Sequence, residues 1–64
     1  MATRPPTPAE IRQARDVAGL TQAAAAERIY STRRTWENWE AGIREMHPGL
    51  FELFLIKTGQ LTRR

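Results

Sequence analysis

Residues 20–42 of this 64-residue chain, LTQAAAAERIYSTRRTWENWEAG, decide the fold because they predict two short helices joined by a tight turn. The first helix runs from Gln22 to about Ile29 behind Thr21, a residue type that caps helix N-termini. Its four consecutive alanines have high helix propensity, and their small side chains let a neighbouring backbone approach closely. The second helix covers residues 33–41 behind another threonine, and the glycine that follows can end it.

The second of these helices has two chemically different faces. The inner face consists of Trp36, Trp39 and Glu40, at the i, i+3, i+4 spacing of one helix side. The outer face consists of Arg33, Arg34, Glu37 and Asn38. Aromatic rings near basic residues can stack on single-stranded bases, but two indoles on an inner stripe favour core packing.

Two further helices flank this pair. The first follows a capping box, TPAE, with Thr7 at the N-cap and Glu10 at position N3, and Gly19 can end it. The last begins near Pro48, continues to about Thr58 and is apolar most of the way round. No strand-like alternation is present, so the sequence predicts an all-α fold.

The domain boundaries follow from these helix ends. Residues 1–6, MATRPP, are expected to form a flexible arm, because adjacent prolines forbid a helix and no side chain there suggests an anchor. The helical domain is expected to span residues 7–59, followed by a polar tail at residues 60–64. A chain of this length has room for one small domain of marginal stability.

Composition narrows the classes of function. The chain has no cysteine and one histidine, which excludes a disulfide framework and a structural zinc site. No signal peptide is visible, and no segment approaches the roughly 20 apolar residues of a membrane helix, so we expect a cytoplasmic protein. Ser31 and Asp16 are the only residues of their kinds, and no nucleophile, base and orienting group can be assembled. We therefore expect neither an enzyme nor a cofactor.

Two opposite charges on facing helices are expected to pair. Arg15 follows Ile11 by four residues and therefore lies at the inner edge of the first helix. Glu40 follows Trp36 by four residues on the inner face described above. Because an unpaired buried charge costs several kcal/mol, we predict a structural ion pair between these two side chains.

The motifs of the central stretch resemble those of the Cro/C1-type (XRE) helix-turn-helix family. LTQ at residues 20–22, Ala26 four residues after the glutamine, Thr32 and WEAG at residues 39–42 follow that family's pattern at its spacing. The resemblance covers most of the chain. It implies a lambda-repressor-like bundle of four to five helices that binds DNA. Tyr30 stands where the family usually has a glycine with positive φ, a conformation that costs another residue about 1 kcal/mol.

Within this motif, the outer face of the second helix is the candidate surface for reading bases. Arginine can pair bidentately with guanine and asparagine with adenine, whereas glutamate accepts from cytosine or orients a neighbouring arginine. We therefore predict base contacts by Arg33, Arg34, Asn38 and Glu37. The alternative is a solvated charged face held together by i,i+4 pairs.

A second set of residues is predicted to contact phosphates. Gln22 begins the first helix of the motif, where free N–H groups attract anions, and the resemblance implies a clamp on the DNA backbone. Simple N-terminal capping is the alternative for this residue. Arg44 follows the second helix at a position where the family meets the sugar–phosphate backbone. The predicted phosphate contacts are Gln22, Thr21, Thr32, Thr35 and Arg44.

Surplus apolar surface on the last helix predicts a homodimer through Phe51, Leu55 and Ile56. Two-fold dimers of this class bind palindromic half-sites about 34 Å apart. The alternative is that these side chains only close the core over the first helix.

Together these expectations describe a sequence-specific double-stranded DNA-binding transcriptional regulator. We expect a dimeric autorepressor that occludes a promoter at a palindromic operator, with no membrane, metal or small-molecule ligand. Two alternatives remain open. The chain could be an antitoxin-type DNA-binding partner of a toxin, or a protein-interaction module that does not bind DNA.

Overall fold

Four helices joined by short loops make up residues 4–61, the part of the chain that the computed structural model describes. The helices are α1 (Pro8–Ala18), α2 (Gln22–Arg28), α3 (Arg33–Glu40) and α4 (Pro48–Lys57). No strand occurs within the described range, so the predicted all-α helix-turn-helix bundle is confirmed.

Side chains cap the N-terminus of every helix. At α1, Thr7 Oγ1 accepts the Glu10 N–H at 3.1 Å, and Glu10 Oε1 accepts the Thr7 N–H at 2.9 Å. Thr21 and Thr32 cap α2 and α3 in the same way, each accepting an N–H of the first turn. His47 is an unpredicted cap, whose Nδ1 accepts an N–H from the first turn of α4 at 2.8 Å. The predicted start of each helix is confirmed.

The start of the described chain differs from the predicted flexible arm. Arg4 donates to both carboxylate oxygens of Glu10, at 3.0 and 2.9 Å, and Pro6 is buried. The hydrogen bonds from Arg4, together with the backbone hydrogen bond at the cap, lower the pKa of Glu10 to about 2. An anchor therefore exists, formed by contacts that the local sequence does not reveal. Residues 1–3 of the predicted arm and 62–64 of the predicted tail lie outside the described range.

The C-terminal end of α4 is tied to α1. Gln60 Nε2 donates to the Ala14 carbonyl at 3.0 Å and to Thr58 Oγ1 at 2.9 Å. Its backbone N–H donates to the Leu55 carbonyl at 2.8 Å. The predicted polar tail therefore begins with an anchored residue.

The core is built around Trp36, which is fully buried. Its ring centroid lies 4.9 Å from that of Phe54 on α4 and 5.5 Å from that of Trp39. Ala25 and Ala26 of α2 are also fully buried, which is consistent with the close helix approach expected from the alanine run. The two indoles therefore form the inner side of α3, as predicted.

An ion pair beside this core joins α1 to α3. Arg15 donates from Nε to Glu40 Oε2 at 2.6 Å and from Nη2 to Oε1 at 3.1 Å. The indole N–H of Trp36 donates to the same carboxylate, and Arg15 Nη1 reaches the Leu20 carbonyl at 3.1 Å. Burial alone would raise the pKa of Glu40, but the hydrogen bonds from Arg15 and Trp36 lower it overall.

The turn between α2 and α3 has, at Tyr30, the backbone conformation that the family usually gives to a glycine. Tyr30 has a φ of 61°, in the left-handed region that favours glycine. Its side chain is 86% exposed, so burial contributes little to offset the strain. Lys57 of α4 lies over the ring, 4.3 Å from its centroid, and its Nζ donates to the tyrosine hydroxyl at 3.1 Å.

Replacing Glu40 with glutamine should lower the free energy of unfolding by about 3 kcal/mol at pH 7, because Arg15 keeps its charge and loses its partner. The pKa of Glu40 is lowered in the folded chain. Its contribution is therefore present above the carboxyl's ordinary pKa of 4.5 and is lost as the pH falls below that value. Chemical denaturation from pH 7 to pH 3 should show a shallower acid decline for the Glu40→Gln variant than for the parent.

The matched control is Glu45→Gln, which alters an exposed carboxylate in the loop after α3. That variant should unfold within about 0.5 kcal/mol of the parent. Equal stability of Glu40→Gln and Glu45→Gln would contradict a structural role for the ion pair.

Tyr30→Gly should raise the free energy of unfolding by about 0.5 kcal/mol, because relief of left-handed strain exceeds the loss of one exposed cation–π contact. Thermal unfolding measures the change. Ser31→Gly is the control, since that residue does not have a positive φ and glycine there should destabilise the fold. A lower melting temperature for Tyr30→Gly would show that the Lys57 contact outweighs the strain.

Candidate nucleic-acid interface

The outer face of α3, defined as Arg33, Arg34, Glu37 and Asn38, projects away from the buried indoles. The two arginines are exposed, and the other two residues are half-buried. With its side chains, an α-helix is about 10–12 Å across, which matches the width of about 12 Å of the DNA major groove. A helix such as α3 can therefore enter that groove.

One ion pair lies on this outer face. Arg33 Nε donates to Glu37 Oε2 at 2.9 Å, and both side chains remain substantially exposed. An exposed i,i+4 pair contributes only about 0.3–0.5 kcal/mol to stability. The pair therefore orients the Arg33 guanidinium but is weak enough for that group to bind a ligand. Arg34 belongs to none of the ion pairs found among residues 4–61. The predicted alternative, a charged face held together by i,i+4 pairs, thus applies to Arg33 and not to Arg34.

The three threonines of the motif differ in the hydrogens that they can still donate. Thr21 Oγ1 accepts the Ala24 N–H at 3.1 Å, which leaves its hydroxyl hydrogen available. Thr32 Oγ1 accepts the Thr35 N–H at 3.2 Å and donates to Thr35 Oγ1 at 2.9 Å. Thr35 therefore keeps its own hydroxyl hydrogen, whereas that of Thr32 is already used within the turn.

Gln22 contacts the interior rather than capping its helix. Its Nε2 donates to Glu40 Oε1 at 3.2 Å, and Thr21 is the residue that caps α2. This link is not evident from the sequence, because the partner of Gln22 lies 18 residues away. One amide hydrogen of the half-buried Gln22 side chain remains available to a ligand.

The loop after α3 holds Arg44 at a fixed position. Gly42 takes a φ of 78°, and the N–H groups of Ile43 and Arg44 both donate to the Asn38 carbonyl, at 3.0 and 3.3 Å. Arg44 is exposed. The chain therefore turns back over the end of α3, and Arg44 lines an open cleft together with Pro6 and Trp39.

The predicted dimer residues are half-buried, not free. Phe51 and Leu55 pack partly against the core, and together with Val17 of α1 they also line an open groove of about 230 Å³. Val17 is 66% exposed. Ile56 is half-buried on another side of α4. The last helix therefore closes the core and also keeps an apolar surface that is partly open to solvent.

Arg12 of α1 is a cation near the interface that the sequence analysis did not assign. Its Nε lies 4.0 Å from Glu40 Oε1. The sequence feature that points to Arg12 is its position three residues before Arg15, which places the two side chains on neighbouring sides of α1.

Two other kinds of site are not found in the described range. Across residues 4–61, no helix is long and apolar enough to cross a membrane. In the same segment, no three histidine, cysteine, aspartate or glutamate side chains are grouped to hold a metal ion.

Two short helices joined by a tight turn, with cations on the outer face of the second, define the helix-turn-helix class of DNA-binding domain. A family sequence model described as a helix-turn-helix domain matches residues 9–55. The chain therefore belongs to this helix-turn-helix family, which is part of the XRE/Cro-C1-like group predicted from the sequence. No curated protein matches the chain in a sequence search. Family membership indicates DNA binding, and such domains are typically not enzymes.

Proposed function

We propose that this protein is a transcriptional regulator that inserts α3 into the major groove of double-stranded DNA. The observation that carries the proposal is the division of α3 into two sides. Trp36 is fully buried and Trp39 nearly so, while Arg33 and Arg34 are exposed. A helix anchored by its apolar side and presenting guanidinium groups outward suits the acceptor-rich edge of guanine.

Each residue of the outer face has a task in this proposal. Arg34, free of ion pairs within residues 4–61, reads guanine through N7 and O6. Glu37 orients Arg33 for a second guanine through the 2.9 Å pair, or accepts from cytosine. Asn38 reads adenine from the last turn of the helix.

The phosphate contacts surround this reading helix. Arg44 reaches the backbone beyond the end of α3, and its placement is supported by the two hydrogen bonds to the Asn38 carbonyl. Thr21 and Thr35 donate their remaining hydroxyl hydrogens, and Gln22 donates its second amide hydrogen. Thr32 contributes by holding the turn, since its own hydroxyl is occupied.

We further propose a cytoplasmic homodimer that represses transcription by covering a promoter. A helix of eight residues reads only a few base pairs, so a two-fold pair on a palindromic operator supplies the missing affinity. The apolar surface of Phe51 and Leu55, extended by the exposed Val17, is the proposed contact between copies, and Ile56 would add to it from the neighbouring side of α4. Binding of the dimer would exclude polymerase sterically, and the protein's own concentration would set the occupancy.

Selection of bound duplexes from a random pool tests the proposal. Arg34→Ala should weaken binding to the selected duplex by about 1–3 kcal/mol and relax the preference at one base position. Arg44→Ala should weaken all duplexes alike and reduce the salt slope of log Kd by about 0.9, because one phosphate contact is lost. Titrations at several salt concentrations measure both effects.

The control is Arg28→Ala, which removes another exposed cation, from the last turn of α2. It should change neither the base preference nor the salt slope. Sedimentation should show two protein chains on a palindromic duplex. The function we propose would be ruled out by a folded protein that enriches no sequence from the pool and binds duplex no better than Arg34→Ala.

A further inference from the structure

Arg12 is a cation on α1 that the proposed function has not used. Its side chain is 70% exposed, whereas the neighbouring Glu40 side chain is only 6% exposed. The guanidinium therefore lies at the surface, above a buried carboxylate.

Arg12 is close to the amide that the proposed function assigns to a phosphate. Arg12 Nε lies 4.0 Å from Glu40 Oε1, and Gln22 Nε2 lies 3.2 Å from the same oxygen. Because both distances end on one atom, the two nitrogens can be no more than about 7 Å apart. A single segment of a DNA strand can therefore meet both side chains.

The charge of Arg12 is not needed to neutralise Glu40. Arg15 already binds both oxygens of that carboxylate, at 2.6 and 3.1 Å, and Trp36 and Gln22 also donate to it. At 4.0 Å, Arg12 is at the outer limit of an ion pair. Its terminal nitrogens make no hydrogen bond within residues 4–61, so the planar fork that suits a phosphate is open.

The nearby carboxylate of Asp16 forms no ion pair with Arg12 either. Asp16 lies one turn further along α1, and the cation within reach of its carboxylate is Arg15, at 3.9 Å. An open cleft of about 370 Å³ adjoins Arg12. Its lining residues are Pro8, Ala9, Arg12, Gln13, Asp16 and Glu40.

We propose that Arg12 is a phosphate-binding residue, which grips the strand segment that Gln22 contacts. The proposal rests on the proposed function, since it requires a duplex against α2 and α3. The contact adds affinity without sequence preference, because a phosphate carries no base identity. The contact also fixes α1 against the DNA. Because the ion pair of Arg15 and Glu40 joins α1 to α3, it connects the phosphate contact of Arg12 to the helix that reads the bases.

Salt titrations of Arg12→Ala and Arg12→Lys test this inference. The probes are the selected duplex and one duplex of random sequence. Arg12→Ala should weaken both duplexes about tenfold at low salt and lower the salt slope by about 0.9. Arg12→Lys should keep the slope, because it keeps the charge. The unfolding midpoint of both variants should match that of the parent, and Arg28→Ala again serves as the cation control.

A second measurement locates the contact. Methylphosphonate groups, which remove the charge of one phosphate at a time, are introduced along the selected duplex. One such position should weaken the parent protein and leave Arg12→Ala unaffected. If every position weakens the two proteins equally, Arg12 contacts no phosphate and the inference fails.

The outcomes separate this inference from the proposed function. Parent-like affinity and slope for Arg12→Ala, alongside weak binding by Arg34→Ala, overturn the inference alone. Failure of the parent to bind any duplex overturns both. A loss of affinity accompanied by a lower unfolding midpoint, with no methylphosphonate position that distinguishes the proteins, assigns Arg12 a purely structural role and also overturns the inference.

Discussion

The bidentate ion pair between Arg15 and Glu40 is the interaction on which the rest of the structure depends. It crosses from α1 to α3 at 2.6 Å, and it is bordered by the Trp36 indole and the Gln22 amide, which donate to the same carboxylate. Three of the four helices therefore meet at one group. Because Glu40 meets Arg15, Gln22 and the Trp36 indole N–H only when it is directed inward, these contacts fix the rotation of α3 about its own axis.

That rotation determines the chemistry of the surface. With Glu40 and both indoles directed inward, the helical repeat leaves Arg34 on the solvent side, and Arg33 is exposed in the first turn of α3. A short chain with a small core can thus present a rigid cationic edge, because rigidity comes from a buried polar network as well as from apolar area. The strain at Tyr30 belongs to the same design, since the tight turn holds α2 and α3 at a fixed angle.

The local features of the fold could be predicted from the sequence, and the long-range ones could not. Helix starts follow from caps such as Thr7 and Thr21, which act within one turn. The positive φ at Tyr30 is the one that the family usually assigns to a glycine at this place, and only the structure shows that tyrosine adopts it. By contrast, Pro6 is buried and lines a cleft with Trp39 and Gly42, which lie far along the chain, and Gln22 turns toward a carboxylate 18 positions away. Neither contact leaves a periodic signal in the chain.

The central claim is that the outer face of α3 meets DNA while the indoles stay in the core. Titration of isotope-labelled protein with the selected duplex, followed by NMR, measures this directly. The account predicts that the side-chain N–H signals of Arg33, Arg34 and Asn38 shift on binding, while the indole N–H signals of Trp36 and Trp39 stay in place. Shifts confined to α4, or large shifts of the indole signals with none on the outer face, would contradict it.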